Sequence, residues 1–228
     1  MAPALHAARA LSRLALQRGG PRDLACLRDG LAAARAVAAH LADAAEAPDE
    51  IARGLVDLAG LPHDLEARLR HALADELPLQ KRDGGFVRAG FEPALDELRA
   101  LRDESRRVIA AMQSDYCDKA ESKQLRVKHD NFLGYYIETP QAVGEKLLKP
   151  PFNETFIHRQ TLASQVRFTT VELAELDAKI AQAAERVLAI EVQTFELWRA
   201  EAQALAAPIQ AAAEGAARID VAAALSEW

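Results

Sequence analysis

Two long stripes of apolar residues, one on each side of a short β-like insert, limit what this 228-residue chain can fold into more than any other feature. Leu173, Leu176, Ile180, Ala183, Val187, Ile190, Thr194 and Leu197 recur at alternating intervals of three and four residues. That spacing keeps one helical face mostly apolar over about three and a half heptads and requires a partner helix. Leu95, Leu98, Arg102, Ser105, Ile109, Met112 and Tyr116 follow the same rhythm, and Leu101 and Val108 broaden the stripe. Chain direction makes the two helices antiparallel. Thr169 and Glu172 are spaced as a capping box for the second helix. Pro208 is expected to kink or end it.

Between the stripes the pattern changes to that of strands. Leu125–Lys128 and Leu133–Thr139 are rich in Val, Tyr, Ile and Thr, with Asp130-Asn131 as a turn. Phe156–Thr161 and Val166–Thr169 add two more strands, and Pro150-Pro151 breaks the loop between the pairs. At least one of Tyr135 and Tyr136 is expected in the core of this insert, because Leu133 and Ile137 beside them are apolar.

The first ninety residues read as short helices punctuated by Gly and Pro. One spans Pro3 to about Gln17. A second starts at Pro21, runs to about Ala45 and carries Leu24, Leu27, Leu31 and Ala34 on one face. A third begins at Pro48, and a fourth at Pro62, ending near Pro78. Asp83-Gly84-Gly85 is a tight turn before a short extended run, Phe86–Gly90. A last helix runs from about Ile209 towards Trp228. The fold class is therefore mainly α with a small β insertion: a helical base and a long antiparallel helical arm with a β-rich tip.

Charge is unevenly distributed. The chain carries a net charge of −6, yet residues 119–170 hold eight Lys or Arg against five Asp or Glu, a balance of +3 against −9 elsewhere. An acidic protein with its positive charge gathered in one place is suited to holding a polyanion there. Cys26 and Cys117 lie far apart without metal-ligand spacing, which suits a reducing compartment. No stretch approaches the roughly 18 to 20 apolar residues of a membrane span, so a cytoplasmic location is expected. His129 and His158 have no cysteine partner and are not expected to bind metal. No nucleophile–base pair, metal cluster or phosphate loop is visible, so catalysis by this chain is not expected.

Three segments resemble the MutS family of DNA mismatch-repair proteins. They are Gly85-Phe-Val-Arg-Ala-Gly-Phe-Glu-Pro-Ala-Leu-Asp-Glu-Leu-Arg99, Leu125-Arg-Val-Lys-His-Asp-Asn-Phe-Leu-Gly-Tyr-Tyr-Ile-Glu138 and His158-Arg-Gln-Thr-Leu-Ala-Ser-Gln-Val-Arg-Phe168. Weaker similarity extends to Leu11–Leu16, Pro21–Ala25 and Ile219–Leu225. The resemblance implies a core and lever domain in two parts, 1–118 and 170–228, with a clamp domain, 119–169, inserted between them. In the family the clamp grips duplex DNA by its backbone, and the lever connects it to an ATPase domain. The resemblance covers only the middle of a family member, so the chain is expected to be a fragment or a truncated gene product. It lacks the G-x-x-x-x-G-K-[ST] phosphate loop and the Phe-x-Glu mismatch probe. ATP and Mg belong to the full-length family, and no cofactor is expected here. His129-Asp130 stands where members often have Tyr-Asn, and Ser164 where many have Asn.

The expected DNA contacts are Lys123, Arg126, Lys128, Arg159, Gln160, Ser164 and Arg167. The basic residues would neutralise phosphates, Arg126 and Lys128 from one face of a strand. Gln160 and Ser164 would donate hydrogen bonds to phosphate oxygens. The expected partner is double-stranded DNA, held without base specificity, with a homodimer possible in the full-length family and no membrane. The alternative is a helical arm that binds other proteins or serves a structural role.

Overall fold

The computed structural model describes residues 2–42, 48–61 and 63–226. It divides into two compact units: Met1–Pro93 with Leu188–Trp228, and Ala94–Val187. The expected start of a helix at Pro62, the end of another at Ala45, and Trp228 lie outside the described residues.

The first unit is helical. It contains α1 (Ala2–Ala15), α2 (Pro21–Leu41), α3 (Asp49–Ala59), α4 (His63–Ala72), the later part of α7 (Val171–Ala204) and α8 (Ala206–Ser226). The expected face of α2 is its buried face: Leu24, Leu27, Leu31 and Ala34 pack inward with Leu14, Leu58, Leu65 and Leu69. Pro21 opens α2, where its missing N–H costs nothing, and the Asp23 carboxylate accepts the Gly20 N–H at 2.8 Å. The fourth helix stops at Ala72, short of the expected Pro78, because the chain turns extended to pair. Leu73 bridges Val87, the Ala74 N–H donates to the Phe86 carbonyl, and the Arg88 N–H to that of Ala72. Pro208 neither kinks nor ends α7. The helix breaks earlier, at Leu205, and Pro208 sits in the first turn of α8, where proline is tolerated.

The α7 stripe changes phase. Leu173, Ile180, Ala183 and Val187 are buried as the heptad requires. Beyond Val187 the buried positions become Glu191, Phe195, Trp198 and Ala202, and Leu197 is 64 % exposed. These intervals of 4, 4, 3 and 4 follow a straight helix of 3.6 residues per turn rather than a 3.5-residue coiled-coil seam. Glu191 is fully buried. Its carboxylate accepts the Gly85 N–H at 2.6 Å and the Val87 N–H at 3.2 Å. Gly84 has φ +67°, and a Cβ there would lie 2.9 Å from the same carboxylate. Glycine at position 84 thus leaves room for the acid that this turn meets.

The second unit joins two helices to one sheet. It contains most of α5 (Pro93–Lys119), β1 (Arg126–Asp130), β2 (Gly134–Pro140), α6 (Gln141–Leu147), β3 (Ile157–Thr161), β4 (Gln165–Thr169) and the start of α7. The four expected strands are present to within one or two residues, antiparallel in the order β1-β2-β4-β3. The period of two along β2 sorts the sheet. Ile137, Val166, Phe168 and Leu125 form one cluster with Tyr116 and Ile109 of α5 and Leu173 and Ile180 of α7. Phe156 completes it, edge-on to both Tyr116 and Phe168 at 6.2 and 6.4 Å. The end of α5 thus meets the start of α7, as the stripes require. Leu101 and Val108 do not broaden the α5 stripe; both are exposed.

The cap of α7 is Thr170, not Thr169. The Thr170 hydroxyl accepts the Leu173 N–H at 3.1 Å and shares a 2.8 Å hydrogen bond with the Tyr116 hydroxyl. Burial pushes the Tyr116 phenol above its ordinary range. The third residue beyond the cap is Leu173, so no capping box forms. Among the described residues no helix is long and apolar enough to cross a membrane.

Replacing Glu191 by Ala removes the charged acceptor of two backbone N–H groups. A destabilisation of about 3 kcal/mol is expected, read as a lower urea midpoint for the unfolding of the first unit.

Candidate nucleic-acid interface

The sheet face opposite the apolar cluster is charged. Strand register fixes its membership: Arg126 lies opposite Glu138, Lys128 opposite Tyr136 and Asp130 opposite Gly134. On the other side of β2, Arg167 lies opposite Glu138, and Gln160 of β3 lies opposite Arg167. Arg126, Lys128, Gln160 and Arg167 therefore share one face, including the Arg126–Lys128 pair expected from strand alternation.

Glu138, 5 % exposed, is the centre of this face. Lys128 Nζ stands 2.5 Å from one carboxylate oxygen and Arg167 Nε 3.3 Å from the other. With its amide nitrogen turned inward, Gln165 donates to the same carboxylate at 3.1 Å. Arg167 also donates to Gln160 Oε1 at 3.1 Å, stands 3.4 Å from Asp130, and lies over the Tyr136 ring with its guanidinium carbon 4.4 Å from the centroid. Tyr136 is therefore buried under Arg167 on the charged face. Tyr135 is the tyrosine that packs against the apolar cluster.

The remaining candidates are arranged differently. Arg126, at the start of β1, is exposed, and its guanidinium donates to the Lys123 and Leu125 carbonyls at 2.9 and 2.8 Å. Lys123 is exposed in the turn before β1, and Ser164 is exposed in the β3–β4 turn. Arg159 falls at the irregularity in the β3–β4 register between His158 and Gln160. That bulge takes it out of the alternation of its neighbours. Lys123, Arg126 and Arg159 are in no carboxylate ion pair among the described residues. The structure thus brings Lys128, Gln160 and Arg167 into one network and leaves the side chains of Lys123, Arg126, Arg159 and Ser164 outside it.

The β1–β2 turn is firmly built. Asp130 Oδ1 accepts the Phe132 and Leu133 N–H groups at 2.9 and 2.7 Å. Gly134 has φ +71°, and a Cβ there would collide with the Asp177 carboxylate, which accepts the Tyr135 N–H at 3.2 Å. Phe132 is 90 % exposed at the turn. Hydrogen bonding by the Leu133 N–H, then by the Phe132 N–H, with Arg167 nearby, holds the Asp130 carboxyl below its usual range. Among the described residues no group of three or more His, Cys, Asp and Glu is placed to hold a metal. The His158 ring instead bonds the Thr161 hydroxyl at 2.9 Å.

Sequence reasoning missed Glu138 as the hub of this face. The signal was present: Glu138 alternates with Ile137 and Thr139, so it must leave the apolar face. A strand pattern does not say which side chains across the sheet it will meet.

The depressed carboxyl of Asp130 makes a testable difference in pH dependence. Its contribution to stability is present above the ordinary carboxyl pKa of about 3.9 and is lost as pH falls through the lower folded value. Asp130→Asn cannot titrate there. The stability gap between the two proteins is expected to stay level from pH 7 to about 5 and to close below about 4, measured as urea midpoints across that range.

Residues 90–186 match the family model described as MutS family domain IV, a span that nearly coincides with the second unit. The chain is 54% identical over 220 residues to the DNA mismatch repair protein MutS of Rhodopseudomonas palustris (strain BisA53), covering 96% of this chain and 24% of that protein. It is 54% identical over 230 residues to the DNA mismatch repair protein MutS of Caulobacter sp. (strain K31), covering 97% and 25%. The chain thus spans about a quarter of the length of the curated relatives it matches. With domain IV matched at its β-bearing unit and this identity along nearly all of its length, the chain belongs to the MutS family.

Proposed function

We propose that the second unit grips duplex DNA through its phosphate backbone, with the charged sheet face and its flanking turns as the contact surface. One observation carries this reading: the cations of β1 and β4 converge on a single exposed sheet face, in a chain whose remaining charge is strongly negative. The contact residues are Lys123, Arg126, Lys128, Arg159 and Arg167, with Gln160 and Ser164 as hydrogen-bond donors. These residues lie on strands and turns rather than on a helix, where Lys and Arg meet phosphates without reading base edges. Asp130 and Glu138 moderate the potential, so the hold is of modest strength and dominated by the cations that are in no carboxylate ion pair among the described residues. In this reading residues 119–169 form the clamp and the segments 1–118 and 170–228 the core and lever. The role is binding rather than catalysis, and in longer relatives the lever links this grip to an ATPase domain. The role in DNA mismatch repair named for the relatives supports DNA as the partner.

The test is titration of the chain into a fluorescent, fully paired duplex at several salt concentrations, beside a variant with Lys123, Arg126 and Arg159 changed to Gln. These three leave the Glu138 network intact. Binding should weaken steeply with salt, and the log–log slope of the variant should be shallower by about 0.9 for each phosphate it no longer neutralises. A folded chain that fails to bind at low salt, or a variant with an unchanged slope, defeats the reading.

A further inference from the structure

We infer that Glu138 is a built-in counter-charge that limits how tightly this face holds DNA. The inference rests on the DNA-gripping reading above. A surface meant only for tight polyanion binding would keep acids out of its centre. Here a carboxylate occupies one of the two central strands, 5 % exposed, with a lysine on one oxygen and an arginine on the other. Lys128 and Arg167 are each held where a phosphate would otherwise take them.

A phosphate arriving at this face meets cations that already have a partner. To take Lys128 or Arg167 fully, it would have to strip a buried carboxylate of one of its two cations, which is unfavourable. Arg167 is further tied down by Asp130, Gln160 and the Tyr136 ring. Lys128 is half-exposed and retains donors beyond the one aimed at Glu138, so it shares itself rather than transferring. Counting Arg126, Lys128 and Arg167 against Asp130 and Glu138, the face carries one net positive charge. Neutralising Glu138 would double it.

Glu138 therefore sets the strength of the grip as well as the geometry of its cations. A clamp that must release or travel along a duplex benefits from such a ceiling, because each phosphate neutralised steepens and tightens the hold. The same carboxylate makes the contributions of the basic residues unequal: Lys123, Arg126 and Arg159, in no carboxylate ion pair among the described residues, act at full charge, and Lys128 acts through what Glu138 leaves of it.

Glu138→Gln is nearly isosteric and removes only the charge. In the duplex titration it should bind several-fold tighter than the unaltered chain at 50 mM salt, with a log–log slope steeper by about 0.9, and with unchanged far-ultraviolet circular dichroism. The first half of a second comparison does not depend on that variant folding. Lys128→Gln should weaken binding less than Arg159→Gln in the unaltered chain. In the Glu138→Gln background the two effects should become equal. If the unaltered chain binds but Glu138→Gln binds no more tightly, or Lys128→Gln already costs as much as Arg159→Gln, the counter-charge is overturned while the DNA-gripping reading stands. If none of these proteins binds the duplex, both are overturned.

Discussion

The register of β2 is the constraint on which the second unit depends. Tyr135, Ile137 and Thr139 turn to the helices, and Tyr136 and Glu138 turn away. A slip of one residue would drive the Glu138 carboxylate into the cluster of Tyr116, Phe156 and Phe168 and expose Ile137. One alternation thus separates a dry face, which joins the sheet to α5 and α7, from a charged face that can meet a ligand. The ion pairs of Lys128 and Arg167 and the stacking of Arg167 on Tyr136 are consequences of the same register.

The first unit uses a buried acid for a different purpose. Glu191 accepts backbone N–H groups, and the turn around Gly84 is shaped to bring them within reach. Glu138 receives side-chain cations at a half-open surface. Both carboxylates are almost wholly buried, and the cations on Glu138 are side chains that an external anion could compete for.

Much of the fold is legible in the sequence because two periods repeat long enough to be counted. The strands of the insert and the stripes on α5 and the first half of α7 follow from periods of two and 3.5. What escapes is either short or non-local. The seven-residue α6 lies between prolines and is too brief for any period to show. Thr169 and Thr170 are adjacent and offer the same hydroxyl as a cap, and only Tyr116 and Leu173 decide between them. The end of the heptad at Val187 is hidden because Ile190 and Thr194 continue the arithmetic while Glu191 takes the buried place. For the interface, the residue types and the shared face of Arg126 and Lys128 can be read from spacing. The pairing of Lys128 and Arg167 with Glu138 cannot, because it joins residues from three strands.

The strand order has a kinetic side. The β1–β2 and β3–β4 hairpins close over residues 131–133 and 162–164, so each forms from neighbouring chain. The central β2–β4 ladder closes only after the chain has travelled through 141–164, which contains α6 and β3 themselves. Loop-closure entropy must be met before such a pairing gives anything back. The ladder that brings Glu138 beside Arg167 is therefore the least local in the sheet, and the charged face is assembled only when the two hairpins have been joined.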